Sequence, residues 1–201
     1  NLSMLSTSQP MPSGATAYIE RAQSGIHRLN HIITSMTEAT RIEQILKTTD
    51  KVPFNAIEVI KGCVLGYRQI HPNCEFELET LSDNAMLNGS AEYFAQMLEK
   101  LLTNAVEFTE DNKITVVALI VKKRLQLVIK NNGPLLPDEM DQKLFDSMVS
   151  MRTEKQQSTP HLGLGLFIAR LICEYHDASI SAQSLTNPDG VQITIEAKLT
   201  I

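Results

Sequence analysis

The spacing of apolar residues changes once along this chain, near residues 48–53, and the change sets the architecture. Before it, Ile19, Ala22, Ile26, Leu29, Ile33 and Met36 recur at alternating intervals of three and four. This heptad seam continues loosely through Ala39, Ile42 and Leu46. So narrow a stripe on a helix of roughly eight turns is not stable alone and requires partner helices. Residues 1–8 read as the tail of a preceding helix and Gln9 to Gly14 as a polar turn. Residues 1–50 are therefore expected to be part of a helical hairpin that forms a four-helix bundle with a second copy.

Residues 51–201 alternate between helix and strand signals. A helix is expected over about 54–70, and Glu75 to Thr80 alternates as a strand does. Asn88-Gly89-Ser90 opens a helix whose apolar positions Phe94, Met97, Leu98, Leu101, Leu102, Ala105 and Phe108 follow a 3.6 period. Ile114–Val121 and Leu125–Ile129 form a hairpin about Lys122-Lys123-Arg124, and residues 131–137 read as a loop. A short helix near 138–145 precedes a polar stretch. A further helix over about 163–176 and strands at 178–184 and 191–199 complete the chain.

The net charge of −5 falls entirely on residues 51–201, because residues 1–50 carry four basic and four acidic groups. An acidic surface with one small basic turn excludes a nucleic-acid-binding role, which would need a basic patch against phosphates. Three cysteines, Cys63, Cys74 and Cys173, lack paired metal-ligand spacing and point to a reducing, cytoplasmic setting. No apolar run reaches the length of a membrane span, so membrane attachment is expected only through segments upstream of Asn1.

Gly163-Leu164-Gly165-Leu166 stands immediately before a helical apolar run. Glycines leading into a helix N-terminus let backbone N–H groups approach phosphate oxygens, and the helix dipole favours the anion. Glycines also serve ordinary tight turns, so the reading depends on company. That company exists. Leu101-Leu102-Thr103-Asn104-Ala105 resembles the asparagine box of sensor histidine kinases, and Asn131-Asn132-Gly133-Pro134 resembles their first glycine box. Leu144-Phe145-Asp146 resembles their phenylalanine box, and Gly163-Leu164-Gly165-Leu166 their second glycine box. Order and spacing agree over roughly residues 50–201. The wider superfamily includes gyrase-type topoisomerases, heat-shock chaperone ATPases and mismatch-repair ATPases.

The resemblance implies an α+β chain: a two-layer α/β sandwich of the Bergerat ATP-binding type (51–201), preceded by a long helix of the dimerisation and phosphotransfer hairpin (1–50). It implies ATP and Mg²⁺ as ligands, with Asn104 on the metal. Phe108, Asn131, Gly133, Arg152, Gly163, Leu164, Gly165 and Leu166 would lie about the nucleotide, with Arg152 and Lys155 on a lid. A neutral amide oxygen suits a hard cation that keeps its waters and shares phosphate oxygens. The expected partners are a response-regulator receiver domain and a second copy of the chain through its N-terminal helices.

Some positions depart from the pattern. Hydrolytic superfamily members carry a water-activating glutamate at position 100; this chain has Lys100, a charged amine that is not a base at neutral pH. Phosphoryl transfer is therefore expected over rapid hydrolysis. Glu107 stands where the family often has a basic residue. Asn131 replaces an aspartate that accepts from the adenine amino group, Leu135 replaces a glycine, and His161 replaces another, so nucleotide binding weaker than the family norm is expected. None of the five histidines has the acceptor context, and the acceptor is expected before Asn1. His27 and His31 lie four apart but without a carboxylate or third ligand beside them, and read as solvated or bundle-facing imidazoles. His176 ends a helix, where a positive charge suits the dipole. Two further readings are a non-catalytic dimerisation and docking module with weakened nucleotide binding, and an anti-sigma-type serine kinase, which would not need the heptad helix.

Overall fold

The computed structural model describes residues 15–136, 143–146 and 164–200. Its elements are α1 (Ala15–Leu46), β1 (Val52–Asn55), α2 (Ala56–Ile70), β2 (Glu75–Thr80), β3 (Met86–Gly89), α3 (Ala91–Phe108), β4 (Lys113–Val121) and β5 (Arg124–Asn132). After a 3₁₀ turn at Lys143–Phe145 come α4 (Leu164–Tyr175), β6 (Ala178–Leu185) and β7 (Gly190–Lys198). The expected helix tail at 1–8 and most of the short helix near 138–145 lie outside the described residues.

Five strands form a mixed sheet in the order β2-β4-β5-β7-β6. β2 runs parallel to β4, and the remaining neighbours are antiparallel. Alternation places Ile114, Val116 and Ala118 of β4 on the covered face with Leu125, Leu127 and Ile129 of β5 and Ile193 and Ile195 of β7. The opposite face presents Thr115, Gln126, Lys130, Gln192, Thr194 and Glu196 at intermediate exposure. One covered face and one open face make a two-layer sandwich, as expected, with the helices α2, α3 and α4 on the covered side.

Two local expectations are corrected. Residues 54 and 55, expected to open the helix over about 54–70, instead end a short strand (Val52–Asn55) paired antiparallel with 86–89. Pro53 disfavours helical backbone at Val52, and Asn55 caps α2, its Oδ1 accepting from the Ile57 N–H at 3.2 Å and the Ala85 N–H at 3.1 Å. Asn131 and Asn132 are likewise not loop but the last rungs of β5, with Asn131 opposite both Ile114 and Val191.

α1 has two regimes. Ala39, Ile42 and Leu46 join the common core and the helix packs on α4, whereas Ile26, Leu29, Ile33 and Met36 on the same seam are exposed. The sequence periodicity is thus satisfied within the chain only over the last two turns.

His176 overturns the dipole reading. It is buried between Phe54 and Phe94, with ring centroids 5.7 and 5.6 Å away. Nδ1 lies 2.8 Å from the Ile172 carbonyl, and Nε2 lies 3.1 Å from both the N–H and the carbonyl of Ser90. Burial, aided by Lys51, lowers the pKa against the backbone bonds and Asp177, which favours the neutral ring with Nδ1 donating to Ile172 and Nε2 accepting from the Ser90 N–H. Below its ordinary value of 6.5 the unfolded chain takes up the proton first, so this group's contribution to stability falls as pH drops from about 6.5. Urea midpoints measured between pH 7.5 and 5.5 should decline in the wild type, and His176→Gln should lose that decline along with some stability at pH 7.5. Equal slopes in the two proteins would refute the assignment.

Candidate functional site

α3 carries the site. Ser90 caps its N-terminus, accepting from the Tyr93 N–H at 3.4 Å. Phe94, Met97, Leu98, Leu101, Leu102 and Ala105 bury one face. Lys100, Asn104 and Phe108 follow at four-residue steps along the border of that face, each partly exposed. Among the described residues the Asn104 side chain makes no hydrogen bond, so its amide oxygen is uncommitted. From Lys100 to Phe108 this border extends roughly 12 Å at the helical rise.

The C-terminal end of α3 is stitched to the end of β5. The Glu110 N–H donates to the Asn132 carbonyl at 2.9 Å, and the Asn132 side chain donates to Asp111. Burial works against charge on Asp111, but donation from the Lys113 backbone, Asn132 and Thr109 outweighs it and holds the carboxyl below its usual range. Gly133 completes the junction: a Cβ there would sit 2.2 Å from the Phe108 carbonyl oxygen. Gly190, the first residue of β7, closes the other side, where a Cβ would sit 2.4 Å from the Asn131 carbonyl oxygen. Two glycines thus permit two close backbone approaches about one residue, Asn131.

Asn131 is 6% exposed, and its Nδ2 has no hydrogen-bond partner among the described residues. It lies on the helix-facing side of β5, in line with Leu125, Leu127 and Ile129. Buried amides are nearly always satisfied, so an unmet donor at the end of an apolar row calls for a water or ligand atom as its partner. Leu135, beyond the junction, is exposed, while Leu136 is buried with its N–H donating to Ser184 Oγ at 3.0 Å.

At the other end of the border, α4 begins with Leu164 and Leu166, both buried, flanking Gly165. The nearest atom to a Cβ at Gly165 would be Lys100 Cδ, 3.9 Å away. Among the described residues, packing therefore leaves room at Gly165, in contrast to Gly133. The 3₁₀ turn docks on α4, with Leu144 and Phe145 buried and Asp146 paired to Arg170 at 2.6 Å. Lys100 itself is held by Glu38 of α1 at 2.9 Å. Both partners are about a third exposed, so the pair stabilises the fold by at most about 1 kcal/mol. Its interest is positional, since it ties the long helix to the border of the site.

The structure thus brings together Asn104, Phe108, Asn131, Gly133, Leu164, Gly165 and Leu166 along α3. Arg152, Lys155, His161 and Gly163 lie outside the described residues, as do the side chains of His27 and His31. Among the described residues no group of three His, Cys, Asp or Glu could hold a metal. A cation here would rest on the neutral Asn104 amide and a ligand's own oxygens, an arrangement that suits Mg²⁺. Sequence reasoning missed Glu38, Asp111, Asn132 and Gly190. Gly190 alone left a signal, as the last residue of a turn sequence.

The profile of the histidine kinase-, DNA gyrase B- and HSP90-like ATPases matches residues 89–201, more than half of the chain. The chain belongs to this family. Among curated relatives, the signal transduction histidine-protein kinase ArlS of Staphylococcus haemolyticus is 27% identical over 170 residues, covering 79% of this chain and 38% of its own length. The sensor protein ChvG of Agrobacterium fabrum is 27% identical over 176 residues, covering 83% and 30%. The chain thus spans about a third of the length of the curated relatives it matches. Among solved structures, the nucleotide-free catalytic domain of histidine kinase ThkA is 28% identical with a TM-score of 0.63, covering 76% of this chain and 97% of that one. ThkA in complex with the response regulator TrrA shares the fold at a TM-score of 0.69 and 20% identity, covering 99% and 55%. The ATPase family fold accounts for the mixed sheet, its helical layer and the position of α3. No helix among the described residues is long and apolar enough to cross a membrane.

Proposed function

We propose that this chain is the catalytic portion of a sensor histidine kinase, binding Mg·ATP along α3 and passing the γ-phosphoryl group to a histidine for relay to a response regulator. The observation that carries the reading is the alignment on one helix border of Asn131, Asn104 and Gly165, from an unsatisfied buried amide at one end to an open glycine at the other. The base would lie against Asn131 and Phe108, Mg²⁺ on Asn104, and the phosphates toward Leu164-Gly165-Leu166. Catalysis in such a site consists of positioning and charge neutralisation, and Lys100 offers no base to activate water. Family membership supports ATP as the ligand. The ThkA–TrrA complex supports a receiver-domain partner.

Residues 1–50 are proposed as part of the dimerisation hairpin and 51–201 as the ATP-binding domain. The exposed seam Ile26, Leu29, Ile33 and Met36 supports a homodimer, because it prolongs the stripe that α4 already covers. A non-catalytic docking module is the alternative, supported by the Lys100–Glu38 pair standing beside Gly165. Calorimetric titration of the chain with ATP in Mg²⁺ separates the two readings. Saturable binding that weakens on chelation of Mg²⁺ is expected; no binding would overturn the kinase reading in favour of the docking module.

A further inference from the structure

Asn131 differs chemically from the carboxylate its position would otherwise hold. A carboxylate only accepts hydrogen bonds, whereas an amide presents an acceptor and a donor side by side. The observed side chain leaves Nδ2, the donor, unmet and buried. The backbone around the amide is closely fitted, because a Cβ at Gly190 would sit 2.4 Å from the Asn131 carbonyl oxygen. Ladder pairing to Ile114 and Val191 fixes the residue's own backbone.

A 6-aminopurine offers an amino donor beside the N1 acceptor. A 6-oxopurine offers the O6 acceptor beside an N1–H donor. The amide fork matches the first with Oδ1 toward the amino group and the second with Nδ2 toward O6, and a half-turn about χ2 interchanges the two. Facing the 6-position, a carboxylate accepts from the amino group but has no donor for O6, so there it suits the first and repels the second.

We propose that Asn131 is the base-reading residue of this chain and admits 6-oxopurine nucleoside triphosphates alongside ATP. The proposal rests on the nucleotide site described above. It is tested by calorimetry on the whole chain in Mg²⁺ with ATP and with inosine triphosphate, which differs from ATP only at the 6-position and N1. Wild type should bind the two within about tenfold of each other. Asn131→Asp should tighten ATP by roughly tenfold and weaken inosine triphosphate by at least about tenfold, the scale of one base-edge hydrogen bond gained or lost.

Wild type that binds ATP but rejects inosine triphosphate by about a hundredfold would overturn the proposal and leave the ATP site standing. An unchanged ratio in Asn131→Asp would do the same. Binding of neither nucleotide would overturn the site and the proposal together. If Asn131→Asp does not fold, the wild-type ratio alone decides.

Discussion

Gly133→Ala is expected to lower the free energy of unfolding by about 3 kcal/mol, the upper range for overpacking, and to eliminate nucleotide binding. The added Cβ would stand 2.2 Å from the Phe108 carbonyl oxygen. That oxygen belongs to the last turn of α3, so it cannot rotate aside as a flexible side chain would. Relief requires separating β5 from α3, and the separation breaks the Glu110 to Asn132 backbone hydrogen bond. That contact also sets the distance between Asn131 and the helix border. Urea denaturation and an ATP titration measure the two effects. A variant of wild-type stability would show that the junction is looser than its geometry implies.

Asn104→Ala is expected to act in the opposite manner, sparing the fold and removing the metal. Asn104 is half-buried and makes no hydrogen bond among the described residues, and alanine is the better helix former, so stability should hold or rise slightly. The Mg²⁺-dependent part of ATP affinity should fall by roughly a hundredfold, at the upper end of what losing support to a metal ligand costs. Titrations with Mg²⁺ and with chelator should then converge on one affinity. Persistence of the wild-type difference would remove Asn104 from the metal.

The sequence disclosed what local periodicity encodes. The 3.6 spacing from Phe94 to Phe108 and the Val- and Ile-rich hairpin were legible because each element buries one face, and burial follows the repeat. β1 and β3 were hidden because four residues are too few for a period, and Asn88-Gly89-Ser90 reads as the opening of the following helix. Asn131 was hidden as a strand residue because asparagine disfavours strands, and pairing on both sides overrides that preference. His176 was misread because its state is set by Ser90, 86 positions away in sequence. Glu38 and Lys100, 62 positions apart, were beyond any local signal for the same reason. Of the site itself, the motifs identified the residues but not the way they are joined. That came from contacts with Asp111, Asn132 and Gly190, whose partners lie elsewhere in the sequence.

The two glycines about Asn131 have a consequence for how such a site can change over generations. At Gly133 and Gly190 almost any substitution collides with main-chain atoms, so drift there is eliminated through loss of folding. Asn131 lies between them with its side chain free of internal hydrogen-bond duties at Nδ2, so exchanging it disturbs little else. A single exchange at Asn131 can therefore alter the chemistry the side chain offers while the main-chain junction around it stays fixed.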